Sequence, residues 1–335
     1  MGVSKKQFSL YCLGHFWVDF SCALLLFTHL RRGGQWLLCV LLYNFCAFAL
    51  QMPIGLLADL LNRNSCVAAF GCALAALGWA FTGSPIPAAI LAGVGNGCFH
   101  VGAGCDVLKA KKSAALGVFI SPGALGVYLG TLLGKAASVS GWIAVAGLLC
   151  LGALPVLLDL HRGGLDSKNG PVRVAASNRL ALICMVFVVI LRSYVGMIQN
   201  FDWKNGPLAV AAVCMLVFGK AAGGLLGDAV GMKKAAVCSL GLSAILFVFG
   251  EAPLAGLAAI FLFNMTMPVT LWAISRVLPQ AKGLAFGTLS FALFLGFLPT
   301  YAALPVPLSS AWGCALGAAL SLPLLLFGLR KGGVK

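Results

Sequence analysis

The chain has 335 residues, of which 61% are hydrophobic and only 9% charged, with a mean hydropathy of +1.01. That leaves too little polar surface for a water-soluble globule, and so excludes soluble enzymes and soluble binding modules. The net charge of +15 comes from short Lys and Arg clusters between apolar runs; without a basic face interleaved with aromatics it excludes a nucleic-acid partner and reads as topology signals.

With lipid as the solvent, every backbone N–H and C=O needs a partner inside the protein, and long unbroken apolar runs select helices over an alternating barrel. Runs of about 20 apolar residues are long enough to span a bilayer. Between polar breaks they predict twelve spans: 8–28, 36–58, 66–82, 85–107, 113–134, 141–160, 179–200, 207–230, 235–250, 253–275, 283–304 and 308–328. The run from Phe8 has no small-residue cleavage site behind it and reads as a retained first span rather than a signal peptide. Most loops are short, and Gly83-Ser84-Pro85, Asn205-Gly206-Pro207 and Glu251-Ala252-Pro253 fit tight reversals between neighbouring helices.

The long polar connection, His161 to Asn178, falls mid-chain with six spans on either side. It predicts an N-terminal six-helix bundle over 1–160, a cytoplasmic linker over 161–178 and a C-terminal six-helix bundle over 179–335. Gly55-Leu56-Leu57-Ala58-Asp59 recurs as Gly224-Leu225-Leu226-Gly227-Asp228, displaced by 169 residues, which supports an internal duplication. Ala115-Leu116-Gly117 recurs as Ala285-Phe286-Gly287, displaced by 170. An even number of spans per half gives the halves one orientation, related by a pseudo-two-fold axis along the membrane normal.

On this map most of the 23 Lys and Arg lie on the side that holds both termini, while Arg31, Arg32, Lys135 and Lys204 lie opposite. The bias places both termini in the cytoplasm, and the short loops fit a bacterial inner membrane. The 13 cysteines are odd in number, sit almost wholly in apolar runs and form no C-x-x-C pair, so neither a disulfide framework nor a metal site is expected. No cofactor motif and no catalytic residue is identified.

Ionisable side chains within a span cost about 2.5–3.5 kcal/mol on insertion scales and usually face a polar cavity. Five stand out: His15 and Asp19, four residues apart and therefore on one face of the first span, His100 in the fourth, Arg192 in the seventh and Lys220 in the eighth. Asp and His suit proton coupling, so His15, Asp19 and His100 are the proton-coupling candidates, with a static hydrogen-bonded set as the alternative. Arg presents a planar fork matched to carboxylate or phosphate, so Arg192 and Lys220 are candidates for an anionic or zwitterionic substrate, with an internal ion pair to Asp19 as the alternative. Asn96 and Asn264 join them as polar groups that either touch substrate or cross-link helices.

The repeated loop resembles the major facilitator superfamily signature G-x-x-x-D-R-x-G-R-R. The first copy, Gly55 to Asn64, keeps the Gly, the Asp and one Arg, and the second, Gly224 to Lys234, keeps Gly224, Asp228, Gly231 and Lys233. Three patches are similar to the fosmidomycin-resistance branch of that superfamily: His15-Phe16-Trp17-Val18-Asp19 to its H-F-x-x-D, Gly95 to His100 to its G-x-x-x-F-H-P with Val101 in place of Pro, and Leu191-Arg192-Ser193-Tyr194 to its L-R-S-aromatic. The resemblance implies an all-α polytopic fold of twelve transmembrane helices, working as a monomer by alternating access on a small molecule and protons. It also implies a cytoplasmic latch of charged residues, here Asp59, Arg63 and Asp106 with Asp228 and Lys233 as pseudo-symmetric partners.

The expected function is a proton-coupled antiporter that exports a small organic solute. A symporter or uniporter for an anionic metabolite is the alternative, distinguished by the direction of flux under an imposed pH gradient. An intramembrane enzyme would need a motif such as H-E-x-x-H or G-x-S-x-G, neither of which occurs; a non-transporting receptor would have little use for five ionisable groups inside spans.

Overall fold

The computed structural model describes residues 3–110, 112–161, 176–301 and 310–334, and the backbone there is almost wholly helical, with no strand among the described residues. The helices are α1 (Lys5–Thr28), α2 (Trp36–Leu61), α3 (Asn64–Gly78), α4 (Pro85–Leu108), α5 (Ser113–Ala136) and α6 (Gly141–His161). They continue as α7 (Ala176–Ile198), α8 (Gly206–Val230), α9 (232–248), α10 (Pro253–Val277), α11 (Lys282–Tyr301) and α12 (Ala311–Lys331). Eleven helical stretches are long and apolar enough to cross a bilayer among the described residues. The predicted span 235–250 is the exception: α9 is a shorter run with a π turn, Val237–Gly241, at its middle. Most of the predicted linker lies outside the described residues.

Local chemistry explains where the helices start and stop. The Ser4 hydroxyl caps α1 by accepting the Gln7 N–H at 3.2 Å, satisfying one of the first-turn donors that a helix leaves open. Pro85, Pro207 and Pro253 occupy the first turns of α4, α8 and α10, where the missing N–H removes no helical bond. Asn62 ends α2 in the left-handed region at φ 51°, and Gly231 ends α8 at φ 89°. These two residues are also 169 apart, so both copies of the repeat leave their helix through a positive φ, with ψ of 36° and 154°.

Packing within each unit relies on small residues, because lipid gives helices no hydrophobic drive to associate and close backbone contact must supply the attraction. Between α3 and α4, a methyl group on Gly71 would lie 2.4 Å from the Phe99 nitrogen, and one on Gly95 would lie 2.4 Å from the Ala75 nitrogen. The outward surface is apolar: Leu254 is 84% and Trp142 81% exposed, which is tolerable only against lipid. Two compact units divide the chain, one made of 1–110, 122–171 and 280–291 and the other of 111–121, 172–279 and 292–335. The boundaries fall within α5 and α11, each of which begins in one unit and ends in the other. In the first unit Tyr11, Leu24 and Phe99 are fully buried, and in the second Met185, Phe247 and Phe263 are.

Candidate functional site

Helical periodicity builds the principal cluster. On α1, His15 and Asp19 face the same way, and on α4 the i, i+4 pair Asn96 and His100 does likewise. All four meet in the first unit: Nε2 of His15 lies 3.4 Å from Oδ2 of Asp19, and Nε2 of His100 lies 3.7 Å from Oδ1. The Asn96 amide donates to the same Oδ1 at 2.8 Å, and the two imidazoles meet edge to face with centroids 4.4 Å apart. His15 and Asn96 are buried, and the side chains of Asp19 and His100 are only 13% and 12% exposed.

One hydrogen bond orders the chemistry of this cluster. Nδ1 of His100 is 2.8 Å from the backbone carbonyl of Asn96, and since a carbonyl only accepts, Nδ1 carries the proton. Neutral His100 therefore turns a lone pair on Nε2 toward the Asp19 carboxylate, whereas the imidazolium turns an N–H. The contact is attractive only when a proton sits on His100 or on Asp19, or a cation lies between them. Gly123 of α5 closes over it: a methyl group there would lie 2.3 Å from Nε2 of His15 and 2.4 Å from Oδ2 of Asp19.

A second buried network ties α1, α3, α4 and α6 together in the same unit. Tyr11 donates its hydroxyl to Oδ2 of Asp106 at 2.8 Å, while Oδ1 accepts from Asn64 at 2.6 Å and pairs with Lys109 at 3.2 Å. Gln7 donates to the Tyr11 oxygen and to Asp159, at 3.2 and 3.0 Å. Sequence reading assigned Asp106 to a latch and left out Tyr11, Gln7 and Asn64. The signal available for Gln7 and Tyr11 was their i, i+4 spacing on α1.

The two repeated aspartates act on helix starts. Asp59 accepts the backbone N–H groups of Gly283 and Leu284 at 2.8 and 2.9 Å, at the start of α11. Asp228 accepts those of Ser113 and Ala114 at 2.8 and 3.0 Å, at the start of α5, with the Ser113 hydroxyl at 2.8 Å as well. Each carboxylate satisfies open donors at the positive end of a helix. Arg63 and Lys233 are exposed, and among the described residues no ion pair joins them to Asp59 or Asp228. The backbone groups among the partners of these carboxylates are ones that no charge pattern signals, although Ser113 and Gly283 stand at the 170-residue offset already visible in the sequence.

In the second unit Arg192 of α7 is buried at 8% exposure, and its Nε has no hydrogen-bond partner among the described residues. Lys220 is half-buried on α8, and Asn264 on α10 donates to the Ile260 carbonyl of its own helix at 2.8 Å. Outside the spans, burial pushes the Lys204 ammonium down from its ordinary value while Nζ donates to the Gln199 carbonyl at 3.0 Å. No metal spacing occurs in the sequence, yet folding brings one ligand atom each from His15, Asp19 and His100 to within 4.8 Å of one another.

Solved structures with the same architecture exist, although no protein-family profile and no curated protein sequence matches the chain. An outward-conformation crystal structure of the major facilitator superfamily transporter FucP superposes with a TM-score of 0.72 at 14% identity, covering 97% of this chain and 98% of that one. FucP is elsewhere described as the fucose:proton symporter of E. coli. A bacterial homologue of the iron transporter ferroportin gives 0.67 at 13% identity, over 97% and 98% of the chains. The human organic anion transporter MFSD10 gives 0.65 at 16%, over 98% and 100%. The fold is the all-α major facilitator fold of a polytopic integral membrane protein.

Proposed function

We propose that this chain is a secondary active transporter, a proton-coupled antiporter that exports a small organic anion or zwitterion by alternating access. It works as a monomer in a bacterial inner membrane with both termini in the cytoplasm. The observation that carries the reading is the 2.8 Å contact of His100 Nδ1 with the Asn96 carbonyl, which leaves Nε2 facing Asp19. A proton entering this cluster converts a repulsive contact into an attractive one, and leaving reverses it, so proton occupancy and helix packing are coupled.

Arg192 supplies the other requirement. A buried guanidinium with an unbonded Nε is costly unless an anionic group completes it, and a carboxylate or phosphonate on the solute has the matching geometry. Lys220, Asn96 and Asn264 are the further substrate contacts in this reading. The helix caps made by Asp59 and Asp228 give the gate, since each bond joins a helix of one sequence half to a helix of the other and must break for those helix ends to separate; Arg63, Asp106 and Lys233 complete the gating set. Similar folds described as a fucose:proton symporter and an organic anion transporter support proton coupling and anion handling.

The test uses purified protein in proteoliposomes with an imposed pH gradient. Antiport drives labelled anion against the proton gradient, so solute leaves the compartment into which protons enter; symport moves both the same way and would replace the direction proposed. Anion flux unaffected by the gradient in either direction would remove proton coupling from the account.

A further inference from the structure

We infer that His15, Asp19 and His100 also form a binding site for a first-row divalent transition-metal cation of the Zn²⁺ or Co²⁺ kind. This goes beyond the proton role and stands or falls separately from it. Two imidazoles and one carboxylate are the donor set that such ions prefer, whereas Mg²⁺ and Ca²⁺ take oxygen ligands. With metal–ligand bonds of about 2.0–2.1 Å, a tetrahedral ion holds its ligand atoms about 3.4 Å apart. Nε2 of His15 and Oδ2 of Asp19 are 3.4 Å apart, Nε2 of His100 and Oδ1 are 3.7 Å apart, and all three ligand atoms lie within 4.8 Å.

The surroundings match a metal site more closely than the donors alone would. A ligating histidine almost always donates its other ring N–H to a carbonyl or carboxylate, which fixes the tautomer and aims the free nitrogen at the metal. His100 does this through Nδ1 to the Asn96 carbonyl. A ligating carboxylate is itself usually hydrogen-bonded, and Asp19 accepts the Asn96 amide at 2.8 Å. Asn96 thus orients two of the three donors, one with its backbone and one with its side chain. On the third helix the Gly123 backbone packs against His15 and Asp19, where any side chain would press on the donor atoms. The anionic carboxylate offsets half of the ion's charge, and the open positions remain for water or an anionic ligand.

The test is a Co²⁺ titration of the full-length protein without a histidine tag, followed by the visible absorption of the bound ion. A saturable band that Zn²⁺ abolishes and Mg²⁺ does not is expected. His15→Gln, His100→Gln and Asp19→Asn should each weaken binding by at least about 100-fold, and Asn96→Ala by about 10- to 100-fold. His29→Gln should change nothing. X-ray absorption of the Zn²⁺-loaded wild-type protein decides the matter if a variant fails to fold, because two imidazoles give a distinctive scattering pattern. Absence of a saturable band, a band unchanged in both histidine variants, or a Zn²⁺ shell made of oxygen alone would each overturn the inference. None of these results bears on whether Asp19 couples protons, which the liposome assay reads independently.

Discussion

Oδ1 of Asp59 accepts the backbone N–H of Gly283 at 2.8 Å, and 169 residues further along Asp228 makes the same bond to Ser113. The sequence repeat is thus preserved as a repeated device, a carboxylate at the end of one helix capping the first turn of another. Asn62 and Gly231, in the positive-φ region just beyond each aspartate, turn the chain away and leave the carboxylate in reach of its target.

Loss of a charged cap costs about 0.5–2 kcal/mol. Asp59→Ala is therefore predicted to raise the open population at that helix end by about 10-fold, each 1.4 kcal/mol being a factor of ten. Cys105 is a built-in reporter: it is buried, and its Sγ lies 3.0 Å from where a methyl on Gly283 would sit. Its alkylation rate, read by peptide mass spectrometry, should rise by that factor, and an unchanged rate would show that the cap does not hold the end closed.

Tyr11→Phe removes the hydroxyl that donates to buried Asp106 while leaving the ring in place. An acceptor deprived of a buried partner costs about 1–3 kcal/mol. The midpoint of thermal unfolding in detergent should fall, with transport per folded molecule little altered. A variant as stable as the parent would mean that Asn64 and Lys109 alone satisfy Asp106.

Arg192→Ala is predicted to reduce affinity for the transported anion by about 10-fold or more, since hydrogen bonds to charged groups contribute about 1.5–3 kcal/mol. Arg192→Lys should recover only part of the loss because an ammonium lacks the fork. Anion-dependent thermal stabilisation measures both. Equal stabilisation of parent and Ala variant would place the anion elsewhere.

Much of this was legible before any coordinates. The i, i+4 spacing of His15 with Asp19 set their shared face, and the displacement of 169 residues marked Asp59 and Asp228 as equivalent positions. What was not legible is which residues of different helices meet. Asn96 is read from sequence as touching substrate or cross-linking helices; its amide donates to Asp19, a pairing between helices that no spacing within α4 encodes. The aspartates of the repeats were read beside Arg63 and Lys233 because charge is visible in a sequence; the groups they actually hold are backbone N–H donors, which every residue but proline carries.

Proton coupling through Asp19 is tested most directly by Asp19→Asn in proteoliposomes under an imposed pH gradient, with thermal unfolding as the check on the fold. The variant should remain folded and exchange solute down its own gradient, yet show no flux driven by pH. A folded Asp19→Asn protein that still couples solute movement to the proton gradient as the parent does would contradict the mechanism.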